Sequence, residues 1–366
     1  MTLTVRRAVR PLTDRWRDID IEPRGSTLLG VSFRPRQVEA LGLDTRATLH
    51  KLLDLPLPLI RLGAYWSRME PEPGAFDPEE LDWQIDASEH SGKRIILCVG
   101  AVKTFGYPEF FVPEHHLPEP LREGALVRPA THPALLEAAV GFVSRVVDRY
   151  RGRNAILAWQ VEHEAVDPLG MEHSWRLATS FVEKEIEAVR RADSTRPVLL
   201  NGYLPNSLLE QVPQWWRTRD QGDSLALAAR LSDIVGIDHY PRHALLGVGP
   251  WSAYLDGSTG AWKRIAKMLR VGSRAHDQRL MITEGQAEPW ERVTTPPSPP
   301  HAAMYSCPPE QVIANYNATM RGARAATLSL EAYFFWGAEY WVLRAATGDN
   351  SYLGTVARIL EESKPK

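Results

Sequence analysis

A chain of 366 residues with 44% apolar and 24% charged residues has the make-up of a soluble globular protein with a sizeable core. Its formal net charge of −2 gives no electrostatic reason to bind nucleic acid or an anionic membrane. Two cysteines exclude a disulfide framework, and no window approaches the roughly 20 apolar residues of a membrane span.

The first 20 residues carry arginines but lack the apolar stretch of a signal peptide, so a cytoplasmic address is expected. Eight apolar runs then follow in chain order: "LLGVSF" (28–33), "LIRLGAYW" (59–66), "KRIILCVG" (93–100), "AILAWQVE" (155–162), "RPVLLNGY" (196–203), "DIVGIDHY" (233–240), "RLMITEG" (279–285) and "LEAYFFWG" (330–337). Most are continuously apolar rather than alternating, the pattern of parallel strands covered on both faces. Between them, 78–92, 133–152, 171–193 and 309–326 place apolar residues three and four apart, as amphipathic helices do.

Eight strands each followed by a helix, with no linker to divide them, predict an α/β protein: a (β/α)₈ TIM barrel forming a single domain over 1–366, with 1–27 as an N-terminal extension. A doubly wound sheet is the runner-up. It wants a glycine-rich phosphate turn after the first strand, and "GVSFRPRQ" is not one. Long loops are expected after the third strand (about 101–131) and the seventh (about 286–308), on the face where barrel enzymes build their sites. Cys98 reads as core and Cys307 as part of a Pro-rich loop.

The strand ends carry the chemistry. They offer Arg61, Tyr65 and Trp66 on the second strand, Glu162, His163 and Glu164 on the fourth, and Asn201 on the fifth. The later strands add Asp238, His239 and Tyr240, then Glu284, then Trp336 and Glu339. In a barrel, carboxylates from the fourth and seventh strands face each other across one opening. Two carboxylates about 5–5.5 Å apart suit retaining glycoside hydrolysis, in which one stays protonated and the other is ionised beside donors such as an arginine and a tyrosine.

At this point the chain resembles the clan of retaining (β/α)₈-barrel glycoside hydrolases, near its β-galactosidase and cellulase-like members. "AWQVEHE" resembles the clan's Trp-x-x-x-Asn-Glu ending, and "LMITEG" its seventh-strand ending. "IRLGAYWSRMEPEPGAFDPEELD", "DIVGIDHYP" and "FFWG" resemble its second, sixth and eighth strands, so the resemblance covers about residues 28–340. It implies Glu164 as acid/base and Glu284 as nucleophile. It also implies Arg61 and Tyr240 as the groups that hold Glu284, with Trp66 and Trp336 stacking on sugar. Where the clan usually has Asn before the acid/base glutamate this chain has His163, expected to take over the bond to the sugar 2-hydroxyl. Asn201 is a further candidate sugar contact, and Glu162 either a charge beside Glu164 or a barrel-interior group paired with an arginine.

The expected function is therefore a retaining β-glycoside hydrolase acting on β-linked oligosaccharides, whether β-galactoside, β-glucoside or β-mannoside. The alternatives are an endo-acting β-mannanase or glucanase and a carbohydrate-binding barrel without catalysis. The expected partner is a β-glycoside or oligosaccharide, with no cofactor, nucleic acid or membrane. Oligomeric state is not readable, although barrels of this size often associate. His115–His116 reads as a solvated loop because no carboxylate or cysteine stands at ligand spacing, and Asp167 occupies the position where a zinc-protease motif needs its second histidine. No metal is implied.

Overall fold

The structure is a computed structural model. It describes the chain apart from residues 1, 107–109, 118, 123, 167–174, 206–211, 213–214, 217, 219–220, 258–259, 273–277, 292–300 and 365–366. Asp167 and the start of the 171–193 stretch thus lie outside the described residues.

Eight strands close into a barrel: β1 (Leu28–Ser32), β2 (Leu59–Gly63), β3 (Arg94–Cys98), β4 (Ile156–Gln160), β5 (Val198–Tyr203), β6 (Ile234–His239), β7 (Arg279–Gln286) and β8 (Ala332–Trp336). Neighbours run parallel and follow chain order around the ring, with β8 pairing back onto β1. The helices that return the chain are α1 (Thr45–Leu53), α2 (Glu79–His90), α3 (Pro133–Tyr150), α4 (Thr179–Ala192), α5 (Ser224–Leu231), α6 (Gly260–Gly272), α7 (Pro309–Ala325) and α8 (Ser351–Glu362). This is a (β/α)₈ barrel.

The continuous apolar runs follow from two cores. One fills the space between barrel and helices, with residues such as Val31, Leu62, Leu97, Trp159, Leu200 and Ile237 meeting Leu49, Ile85, Val143 and Val182. The other fills the barrel itself with Leu59, Ile96, Ala158, Leu199, Ile234, Met281, Ala332 and Phe334, one or two from each of seven strands. Side chains two residues apart on a strand share a face. Two residues beyond the inner apolar layer, that face carries Arg61, Gln160, Asn201 and Thr283, all buried. Asp238, four residues beyond Ile234, joins them because Gly236 intervenes; a Cβ there would come within 2.7 Å of Asn201 and 2.8 Å of Thr283. The barrel interior thus changes from oily to polar along its axis, toward the strand C-termini.

Several features depart from the sequence-based expectation. The second strand ends at Gly63, and Trp66 opens a short helix, Trp66–Met69. Residues 176–177 form a short strand with Leu126–Val127, so the described helix of the 171–193 stretch starts only at Thr179. The loop after β6 holds an unforeseen hairpin, Arg242–Val248 and Trp251–Asp256, which residues Thr2–Arg7 extend into a three-stranded antiparallel sheet. Val9–Pro11 pairs with Ala302–Met304 in the long β7–α7 segment. Both cysteines are buried and free. No helix of the described residues is long and apolar enough to cross a membrane.

Candidate active site

Glu284 sits where β7 departs from regular pairing. Ile237 faces Ile282, but Asp238 faces Glu284, so one residue of β7 is extra. Such a bulge re-aims side chains. Thr283 donates from its hydroxyl to Asp238 Oδ1 at 2.7 Å, while the next residue, Glu284, also reaches the barrel opening. Arg61 Nη1 donates to Glu284 Oε1 at 3.1 Å, the Tyr240 hydroxyl donates to Oε2, and His163 Nε2 stands 3.5 Å from Oε1. Both partners of the Arg61–Glu284 ion pair are buried, so the carboxylate is held with little solvent screening.

His163 has a defined tautomer. Its Nδ1 faces two donors, Asn201 Nδ2 at 2.9 Å and Arg61 Nη2 at 3.3 Å, so Nδ1 accepts and Nε2 carries the proton. That Nε2 lies on the Glu284 side of the ring, 3.5 Å from Oε1. Asn201 is fully engaged in this bracing: Nδ2 also donates to Asp238 Oδ2 at 2.5 Å, and Oδ1 accepts from Gln160 Nε2 and the Glu164 amide, each at 3.1 Å. Expected as a sugar contact, Asn201 has its donors and acceptor engaged by the protein in this structure. Gln160 ties the same set to Arg61 through Oε1 and Nε at 2.8 Å. Burial, and then the charge of Glu284, push the Asp238 carboxyl up to about 7.

Glu164 lies four residues past the end of β4, on backbone that has left the strand. Glu162 has φ 57° and Glu164 φ 41°, the left-handed region that non-glycine residues enter at a cost of about 1–3 kcal/mol each. What holds this turn is a set of buried groups. Gly100 passes so close that a Cβ would lie 2.0 Å from the Glu162 nitrogen. The Glu162 carboxylate accepts from the amides of Val102 and Lys103 at 2.9 and 2.5 Å. Buried Lys103 donates from Nζ to the Glu164 carbonyl at 2.7 Å.

Of the two readings of Glu162, the one that pairs it with an arginine finds no arginine among its described contacts; its carboxyl neighbour is Glu185 of α4. Burial and the charge of Glu162 push Glu185 well above the carboxylate range, while Glu162, raised by burial, is drawn back by Glu185 and the two amides. Glu185 Oε1 accepts from the Ala101 amide at 3.2 Å, while Oε2 has no donor facing it, as suits the oxygen of a carboxyl that keeps its proton.

Tyr240 links the two strands electrostatically. Its phenol is held well above its ordinary value by burial, then by Glu284 and Asp238, with Glu164 contributing as well. One half-buried hydroxyl therefore feels both Glu164 and Glu284. Trp336, half-buried, runs parallel to the His163 ring at 6.4 Å and meets Phe105 edge-on.

Trp66 is not brought to this site. It has no exposure, stacks on Phe142 and His116, and donates from Nε1 to Glu70 at 2.7 Å. A sugar platform needs an open indole face, and Trp66 has none.

Besides Gln160, Asp238, Glu288 and Glu339, four further contributors were not assigned a role from sequence. Arg34, just after β1, lies under Trp336 at 4.2 Å and is clamped by Glu288 and Glu339. Lys103 and Glu185 brace the β4 turn. Trp290 packs edge-on against Tyr240 at 5.1 Å. A strand-end position was a legible signal for Arg34; Lys103, Glu185 and Trp290 lie on loops and a helix, where residue type alone gives none. His163, Asp238 and Glu284 also bring three ligand-type atoms within 4.8 Å of one another. The Arg61 guanidinium already bonds the Glu284 oxygen, so positive charge is supplied there by the chain itself.

Comparison with known proteins agrees with this picture at a coarse level. A family model described as β-galactosidase matches residues 33–184. The β-galactosidase BgaB of Geobacillus kaustophilus is 30% identical over 115 residues, 29% of this chain and 17% of that protein, so the match spans under a fifth of the relative's length. Among solved structures, GH5_18 from Streptomyces cattleya in complex with GlcNAc superposes with a TM-score of 0.56 at 15% identity, over 95% of this chain and 83% of that one. An exo-β-1,4-mannosidase from an Opitutaceae bacterium gives 0.51 at 15% identity, over 89% and 55%. At such identity these structures speak for the barrel fold. The resemblance to the (β/α)₈ glycoside hydrolases holds at the level of the clan.

Proposed function

We propose that this chain is a retaining β-glycoside hydrolase. Glu164 protonates the leaving glycosidic oxygen while Glu284 attacks the anomeric carbon, giving a covalent glycosyl-enzyme; Glu164, now ionised, takes a proton from water as it attacks and releases the sugar. The observation that carries the reading is the clamp on Glu284. Arg61, the Tyr240 hydroxyl and His163 Nε2 converge on a single buried carboxylate at the barrel mouth. A carboxylate so oriented has its attacking lone pair fixed before substrate arrives, which is what a nucleophile needs.

His163 directs Nε2–H to the space beside Glu284, where the hydroxyl next to the reacting carbon would lie, and Trp336 floors that space. The substrate we assign is a short β-linked oligosaccharide cut from its end. A β-galactoside is favoured by the relatives named β-galactosidase, and a β-mannoside by His163, since some mannan-degrading members of the clan this chain resembles carry histidine at that position.

The test is a panel of aryl β-glycosides (galacto, gluco, manno) with wild type, Glu284→Gln and Glu164→Ala. Turnover of one sugar by wild type, lost in Glu284→Gln by at least about 10³-fold, is expected. Wild type that binds sugars but turns over none of the panel favours the non-catalytic barrel instead.

A further inference from the structure

Away from the barrel mouth, Glu70, His115 and His116 form a second cluster. Glu70 ends the Trp66–Met69 turn after β2, while the histidines form the 3₁₀ turn Glu114–His116 in the long loop after β3. Adjacent residues of a chain ordinarily point apart, yet both imidazoles aim Nε2 at one oxygen, Glu70 Oε1, at 3.2 and 3.0 Å. The other carboxylate oxygen accepts from Trp66 Nε1 at 2.7 Å, and the His116 ring lies against the Trp66 indole at 4.7 Å. One ligand is thus oriented by a hydrogen bond behind it and another by stacking, the supports that set metal-ligand geometry. Side-chain exposures of 16–25% leave the cluster open on one side.

We infer that Glu70, His115 and His116 form a zinc-class metal site that staples the β2 segment to the long loop after β3. A (His)₂Glu set with imidazole nitrogens and one carboxylate suits zinc, with water completing four-coordination on the open side. Ligand atoms about 2.1 Å from a tetrahedral ion stand about 3.4 Å from one another. The observed oxygen–nitrogen distances of 3.0 and 3.2 Å need only a few tenths of an ångström of spreading to admit it. Binding exchanges two Nε2–H···O bonds for three bonds to the ion and releases the Nε2 protons, or moves them to Nδ1. The staple restrains the loop that also carries Lys103 and Phe105, without joining the chemistry at Glu164 and Glu284. The sequence hid this site because its carboxylate lies 45 residues upstream of the histidine pair.

The experiment is zinc titration of the untagged, metal-stripped full chain by calorimetry, with melting curves in zinc and in magnesium. The expected result is one zinc per chain and a Tm rise of about 3 °C at zinc a hundredfold above Kd. Magnesium should have no effect. Both signals are lost in the His115→Ala/His116→Ala double variant and weakened at least about tenfold in Glu70→Gln, each of which keeps wild-type melting without metal to within a degree or two. Stoichiometric zinc binding that survives in the double variant overturns the assignment and points to His163, Asp238 and Glu284 instead. No binding by wild type at millimolar zinc overturns it outright.

Discussion

At the scale of single residues, Glu284 is held by Arg61 and Tyr240 with His163 beside it, Glu164 is set on a strained turn, and the proposed mechanism gives the two carboxyls different parts. Their removal has different signatures. Glu164→Ala should slow cleavage of unactivated oligosaccharides by about 10²–10⁴-fold. It should spare the first step with a dinitrophenyl leaving group, which needs no proton, and flatten the basic limb of the pH–rate profile. Steady-state and burst kinetics on the two substrate types check this; equal loss on both would assign Glu164 a structural role. The meeting of these side chains was legible where a residue lies near a strand end: Arg61, Glu284 and Tyr240 come together because strand ends of a barrel must. It was not legible where identity alone decides orientation. Trp66 looks in sequence like any tryptophan beside a site, yet three residues past its strand it has turned into the wall between α3 and the loop. Asn201 is at the right height but spends every polar atom on its neighbours.

At the scale of elements, the β4 turn is the part under tension, and its restraint comes from α4. Glu185 on that helix lies beside Glu162, and burial with the Glu162 charge pushes its carboxyl up, toward a proton shared between the two; the Glu162 carboxylate also anchors the start of the loop after β3 through Val102 and Lys103. Glu185→Gln keeps a donor toward Glu162 and should leave stability within about 1 kcal/mol of wild type. Glu185→Ala leaves a buried acceptor short of a partner and should cost about 1–3 kcal/mol in urea unfolding, together with lost activity as the Glu164 turn relaxes. Equal stability of the two variants would contradict the shared proton. The eight strands could be read from sequence because a strand buried on both faces has little freedom in composition. The hairpin Arg242–Val248 and Trp251–Asp256 could not, since its pairing with residues 2–7 links segments some 250 residues apart that carry no shared local pattern.

At the scale of the whole molecule, the polar layer inside the barrel makes stability depend on pH. Asp238, ordinarily near 3.8, is held at about 7, so the native state keeps a proton that the unfolded chain releases. That contribution is present below about pH 4 and lost as pH rises through 7. His239 and His243, held down to about 4 by burial, act in the opposite sense, their contribution being lost as pH falls from 6.5 toward 4. Comparing wild type with Asp238→Asn cancels the histidines. The stability difference should move against wild type between pH 5 and 8, and a difference that stays flat over that range would contradict a raised Asp238. We propose that the same layer serves a covalent displacement at Glu284. The most direct measurement is peptide mass spectrometry after mixing the chain with dinitrophenyl 2-deoxy-2-fluoro-β-glycosides of the galacto, gluco and manno series. A fluoroglycosyl adduct on Glu284, formed with one equivalent of dinitrophenolate, is predicted. Turnover of the ordinary aryl glycoside with the adduct on another residue, or with an anomerically inverted product and no adduct, would contradict the account.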